Sequence, residues 1–233
     1  MHHIIRLPIQ LTILLIIGST TTAAAQPVTD AFECSRVMNS LLHIVKDTAH
    51  HHFTTTCYTK YNNAQTDTLY YDYKVSNGRL HITGSDSSEI IQNQYYNLKI
   101  NHRSKKAVLS IVKDPSGYLL QANLLSREFY QKLVTGMSIT DTGSFKKLSW
   151  HFKAASPYRR YDIVYDPGTS RINTIQYCYG NGAPFTVTIV FSYQTSGCSD
   201  SEFSLDPFCS CSNGQFVMTT PYANYTLTNT VNQ

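Results

Sequence analysis

Phe185-Thr186-Val187-Thr188-Ile189-Val190-Phe191-Ser192-Tyr193 decides how this chain folds. Phe185, Val187, Ile189, Phe191 and Tyr193 stand at every second position, with Thr186, Thr188 and Ser192 between them. Successive side chains of an extended strand point to opposite faces, so this spelling predicts a strand with one apolar and one polar face.

The same period runs outward from there. Ile175, Tyr177 and Tyr179 precede it across a Gly180-Asn181-Gly182 turn, and Tyr161, Ile163 and Tyr165 lead into Asp166-Pro167-Gly168. Leu148, Trp150 and Phe152 alternate with Lys147, Ser149, His151 and Lys153. Nearer the start, Leu69, Tyr71, Tyr73 and Val75 share a face opposite Tyr70, Asp72 and Lys74. Ser76-Asn77-Gly78 follows, and Asn-Gly is the strongest short hairpin signal. Leu80 and Ile82 lie on the return strand. Tyr96, Leu98 and Ile100 form another inward set, and a polar turn at His102–Lys106 leads back through Ala107–Val112. The order predicts an antiparallel meander.

Two stretches change to helical period. Asp30 with Glu33 reads as a capped start; Val37, Leu41, Ile44 and Val45 form a stripe that Met38 and Leu42 widen, and His50-His51-His52 ends it. Asp114-Pro115 reads as an N-cap before a helical first residue, with Tyr118, Ala122, Leu125, Phe129 and Leu133 on one stripe and Gly136 closing it. An apolar sheet face needs a cover. The expected fold is therefore α+β: a strongly curved antiparallel sheet covered by an N-terminal helix and an inserted helix, in one domain.

Residues 1–25 read as a cleavable signal peptide. Arg6 precedes an apolar run, Leu7 to Ile17, too short to span a bilayer, and Ala23-Ala24-Ala25 supplies a cleavage site. Cys34 follows Ala31-Phe32-Glu33, which is not a lipobox. The expectation is a free periplasmic or secreted protein cut near Ala25, with 26–233 as its single domain. The formal charge of +4, and charged residues at only 15%, argue against a nucleic-acid partner. An even cysteine count in an exported chain (Cys34, Cys57, Cys178, Cys198, Cys209 and Cys211) predicts disulfides, with Cys178 and Cys198 the nearest candidates for Cys209 and Cys211. A zinc site is the rival reading, but C-x-C without a second pair is weak evidence for it.

Catalytic spelling is sparse: there is no G-x-S-x-G, H-E-x-x-H, Walker or Rossmann pattern. His50–His52 suits a solvated helix end better than a metal, and a metal-assisted hydrolase built on it is the weakest reading. Asp86 and Glu89 imitate an acid–base pair within a Gly-Ser-Asp-Ser-Ser loop, with nothing visible to shift their pKa values. The expectation is a non-enzyme without cofactor or metal.

One resemblance bears on function. Tyr161–Ile172 with its Asp-Pro-Gly turn, then Val187–Ser192, Phe203-Ser204-Leu205 and Phe216–Pro221, occur in an order similar to periplasmic lipoprotein carriers of the LolA type. Glu89–Ile100 also resembles uncharacterised exported proteins of Bacteroidetes. The carrier resemblance implies a half-open β-barrel capped by helices, whose apolar interior shields acyl chains of a lipid or lipoprotein. Six cysteines exceed that family's pattern, and its lid-latching arginine matches no position here. On this reading the cavity lining is Tyr71, Tyr73, Leu98, Ile100, Trp150, Phe152, Val187, Ile189 and Phe191, with Leu125 and Phe129 from the inserted helix. The alternative is an envelope or cell-surface interaction module without a ligand cavity, for which Tyr-rich strands and a Ser/Thr/Asn surface are equally suited.

Overall fold

The computed structural model describes residues 28–43, 47–61, 66–114, 118, 132–180, 185–195 and 197–231. Helix α1 spans Val28–Leu42 and buries Cys34, Val37, Met38, Leu41 and Leu42, the stripe expected of a helix packed on one side. It begins before Asp30, so Asp30 lies within its first turn and is not the N-cap. The helix stops at Leu42, and His51 and His52 open the first strand instead of ending the helix.

Fourteen strands follow among the described residues: β1 (His51–Tyr61), β2 (Thr66–Ser76), β3 (Arg79–Gly84), β4 (Ser88–Gln92), β5 (Tyr96–Asn101), β6 (Lys106–Ile111), β7 (Val134–Thr142), β8 (Phe145–Phe152), β9 (Tyr158–Tyr165), β10 (Ile172–Tyr179), β11 (Phe185–Tyr193), β12 (Cys209–Ser212), β13 (Gln215–Met218) and β14 (Thr226–Asn229). Twelve of them form one sheet in the order β14-β6-β5-β4-β3-β2-β1-β11-β10-β9-β8-β7, while β12 and β13 make a separate ribbon. All neighbours are antiparallel except β14, which lies parallel to β6. The Asn77-Gly78 hairpin forms as expected: Ser76 faces Arg79, and both turn residues have positive φ (46° and 75°), the type I′ signature.

The registers show which side chains share a face, because residues directly opposite each other point the same way. Val75, Tyr73 and Tyr71 of β2 stand opposite Leu80, Ile82 and Gly84 on one side, and Tyr73 and Tyr71 opposite Phe53 and Thr55 on the other. The row continues through Phe191 and Ile189, Ile175 and Tyr177, Ile163 and Tyr161, to Leu148 and Trp150. This is the helix face. It forms one cluster with the buried side of α1.

In β4–β6 the burial changes sides. His81 faces Ile91, which faces Leu98, which faces Leu109, and Ile100 lies opposite both Glu89 and Ala107. His81 alternates with Leu80 and Ile82, so this second set points away from the helix face. Leu205, Phe208 and Cys209 bury it, with Phe216, Met218, Tyr222 and Leu227 packed alongside. We call this side, covered by the chain after Cys198, the tail face.

Several expectations are corrected. The sheet is open and not strongly curled; β7 and β14 are separate edges. A sheet curls around one interior, whereas here two parts of the same sheet bury opposite faces. Glu89 lies in a strand, β4, and not in a loop. Gly136 lies inside β7 at a register irregularity next to Val134 and closes no helix. Tyr118, Lys132 and Leu133 are helical. Ile44 and Val45 of the first stripe and Ala122, Leu125 and Phe129 of the second lie outside the described residues, as do the signal segment and the Gly180-Asn181-Gly182 turn beyond Gly180. Among the described residues the six cysteines form no disulfide, where pairing was expected. Their dispersal explains this. Cys34 belongs to α1; Cys57 shares the helix face with Ile189, its partner in register; and Cys178 alternates with helix-face Tyr177 and so points the other way. Cys209 and Cys211 sit on the separate ribbon opposite Met218 and Phe216.

Candidate functional site

On the helix face, aromatic side chains from neighbouring strands pack in register. Phe53 stacks on Tyr73 with centroids 5.0 Å apart, Trp150 lies 5.1 Å from Tyr161, Tyr161 4.7 Å from Tyr177, and Tyr179 stacks on Phe185 at 4.2 Å. β-branched and aromatic residues suit such a pleated surface because cross-strand neighbours contact one another. Burial is graded along the row. Leu148, Trp150, Tyr161, Ile163 and Ile175 are fully buried, whereas Leu69, Cys57, Tyr73, Ile189, Val187, Tyr179 and Phe185 are half-buried. The graded strip thus runs across β2, β1, β11 and β10.

Burial also sets the ionisation of this face. It pushes the Tyr73 phenol up to about 12 against a hydrogen bond with Thr55, and it raises Tyr71 and Tyr177 still further. These phenols stay neutral at ordinary pH and offer no base. Trp150 Nε1 is buried and has no acceptor among the described residues.

The nominated lining divides in two. Tyr71, Tyr73, Trp150, Phe152, Val187, Ile189 and Phe191 come together on the helix face. Leu98 and Ile100 lie in the second cluster, beneath the tail. Period two correctly grouped Leu98 with Ile100, but it carries no information on which face the pair takes.

The histidine run diverges. His50 Nδ1 bonds the Cys198 carbonyl, His51 lies 3.2 Å from Asp47 and His52 2.7 Å from Asp72. Among the described residues no group of three His, Cys, Asp or Glu side chains converges as metal ligands would. Asp86 and Glu89 do not pair either. Asp86 accepts from the Ser88 N–H at 3.1 Å and the Ser88 hydroxyl at 2.5 Å, and Tyr71 donates to it at 3.4 Å.

Glu89 belongs to a network absent from the sequence reading. It is buried between β3 and β5, with His81 Nε2 at 2.7 Å on one oxygen and His102 Nε2 at 2.8 Å on the other; His102 Nδ1 lies 3.0 Å from the Tyr225 hydroxyl. Burial raises the Glu89 carboxyl, but the two histidine hydrogen bonds outweigh it and leave the pKa below 4.5. His81 and Glu89 stand two residues off register on neighbouring strands. A diagonal pair of that kind follows from hairpin register, which residue spacing alone does not reveal.

A depression of about 450 Å³ lies at the end of β3, lined by Thr54, Thr55, Thr56, Tyr70, Tyr71, Asp72, Thr83, Gly84 and Ser85. Tyr71 is its one nominated residue.

No family model matches the chain, and no curated protein matches it. Among solved structures it is similar to an uncharacterized conserved protein from Thermus thermophilus, at 8% identity and TM-score 0.44 over 73% of this chain and 92% of that one. It is also similar to the Pseudomonas aeruginosa MucA/MucB complex at 10% and 0.42, over 74% of this chain and 60% of that chain. A LolA superfamily protein from Nitrosomonas europaea aligns at 8% and 0.37, over 74% and 98%. At these scores no function passes from them to this chain.

Proposed function

We propose that this chain is an exported, non-catalytic carrier that holds acyl chains of a lipid or lipoprotein against the helix face. The observation that supports this is the half-buried strip Leu69–Tyr73–Cys57–Ile189–Val187–Tyr179. It is apolar, runs across four strands for about 14 Å at roughly 4.8 Å per strand spacing, and joins the packed core. Each methylene taken from water contributes about 0.8 kcal/mol, so a medium-length chain lying on the strip gains enough to offset the cost of association. Among the described residues no helix is long and apolar enough to cross a membrane.

The test is lipid extraction and mass spectrometry on the full chain purified natively from an envelope fraction. Ile189→Asp and Val187→Asp are compared with wild type, their folding checked by circular dichroism. Recovered lipid that falls about tenfold in the folded variants, the loss expected when a charge enters an apolar seat, supports the reading. Lipid that is absent from wild type or undiminished in the variants refutes it.

The complete burial of Trp150, Tyr161 and Ile163 favours a second reading, an envelope interaction module with a solid core. A protein partner captured without lipid distinguishes that case.

A further inference from the structure

The tail face of β1–β3 carries two cross-strand rows that the carrier reading does not use. Thr54 faces Asp72, and Asp72 faces Thr83. One step along, Thr56 faces Tyr70, whose backbone N–H donates to the Ser85 hydroxyl at 2.9 Å while its carbonyl accepts from the Ser85 N–H at 2.8 Å. The first row is thus hydroxyl–carboxylate–hydroxyl, and the second is hydroxyl–aromatic–hydroxyl. Strands lie about 4.8 Å apart and alternate residues about 6.8 Å apart, so hydroxyl oxygens flank the Tyr70 side chain on both sides.

Four features make this a site rather than ordinary strand surface. The side chains line the 450 Å³ depression, a volume within the range of small-ligand sites. Tyr70 is 59% exposed, although tyrosine at that position gains little for folding. Asp72 is fixed by His52 at 2.7 Å, so its carboxylate is pre-positioned. The Ser85 hydroxyl is held as well, by the Tyr70 backbone N–H that donates to it at 2.9 Å.

We propose that this depression binds an uncharged saccharide. One face of a pyranose is apolar C–H, which suits stacking on Tyr70; its rim is hydroxyl, which suits Thr54, Thr56, Thr83, Ser85 and Asp72. A carboxylate at the centre of the donor–acceptor row accepts from sugar hydroxyls and repels acidic sugars. The site lies on the opposite face of the sheet from the acyl seat and stands independently of it.

The experiment is saturation-transfer NMR on the full chain with cellotriose, maltotriose and chitotriose, and with trigalacturonate as the acidic comparison. The expected result is transfer to ring C–H protons of at least one neutral trisaccharide and none to trigalacturonate. Tyr70→Ala weakens that binding about fivefold, the loss of one aromatic contact, as does Asp72→Asn, whereas Tyr95→Ala, at a similarly exposed tyrosine elsewhere, and Ile189→Asp leave it unchanged. The proposal is overturned by no transfer from any neutral trisaccharide, by equal transfer from trigalacturonate, or by undiminished binding in folded Tyr70→Ala.

Discussion

Gly84→Ala tests the packing at the end of β3. The residue has ordinary negative φ, so alanine meets no backbone penalty, and the substitution should gain about 0.4–1 kcal/mol through the unfolded chain. Sterics oppose this. The new methyl would overlap Asp86 Oδ1 and meet both Ser88 Oγ and Tyr71 Cε1 at 2.7 Å. None of these yields readily, because the Ser88 N–H and hydroxyl pin Asp86 and the Tyr71 ring is buried in the helix-face core. Overpacking of this kind costs about 1–3 kcal/mol, which exceeds the entropic gain. With mid-range values, about 2 against about 0.7 kcal/mol, the expected net is a loss of about 1.3 kcal/mol. For a chain of this length that lowers the thermal midpoint by roughly 2–6 °C, measured by circular dichroism with urea unfolding as a second readout. Ser88→Ala removes one of the three contacts and frees Asp86 to move, so the double variant should lose about 0.5 kcal/mol less than the two single losses added. A Gly84→Ala protein as stable as wild type, or a double-mutant cycle with no coupling, would refute the reasoning.

Other perturbations separate the remaining claims. Gly78→Ala meets no atom within 4 Å but must adopt φ of 75°, so it should cost about 1 kcal/mol for a purely conformational reason, seen in the urea midpoint. Leu98→Ala should cost about 2–5 kcal/mol and speed amide exchange in β12 and β13, because it empties the core beneath the tail. Trp150→Ala should cost about 3–5 kcal/mol while leaving exchange in that ribbon unchanged; equal effects from both would contradict two separate cores. Glu89 carries a depressed pKa, so its contribution is complete above the unfolded carboxyl value of 4.5 and is lost as pH falls through the lower folded value. Wild-type urea midpoints should therefore drop in acid below pH 4.5, and Glu89→Gln should be weaker at neutral pH with a shallower acid decline.

Most of the strands were legible from alternation alone. The sets at Leu69–Val75, Tyr96–Ile100, Leu148–Phe152 and Phe185–Tyr193 all form strands, and Asn77-Gly78 turns where its chemistry requires. The missed elements have identifiable causes. β4 carries Ile90 and Ile91 in succession, which spoils the alternation because each isoleucine packs on a different face. β7, at a sheet edge, mixes Gly136 and Asp141 with its apolar residues. Cysteine parity pointed to disulfides, but pairing needs proximity, and the fold scatters the thiols.

By itself the sequence determined local period, turn positions and therefore which residues travel together on one side of a strand. Only the tertiary structure decided which side that is. A period of two is unchanged when a strand is turned over, and register between strands settles its orientation. That is why Tyr71, Trp150 and Ile189 meet on one face while Leu98 and Ile100, spelled in the same way, are buried on the other beneath the tail.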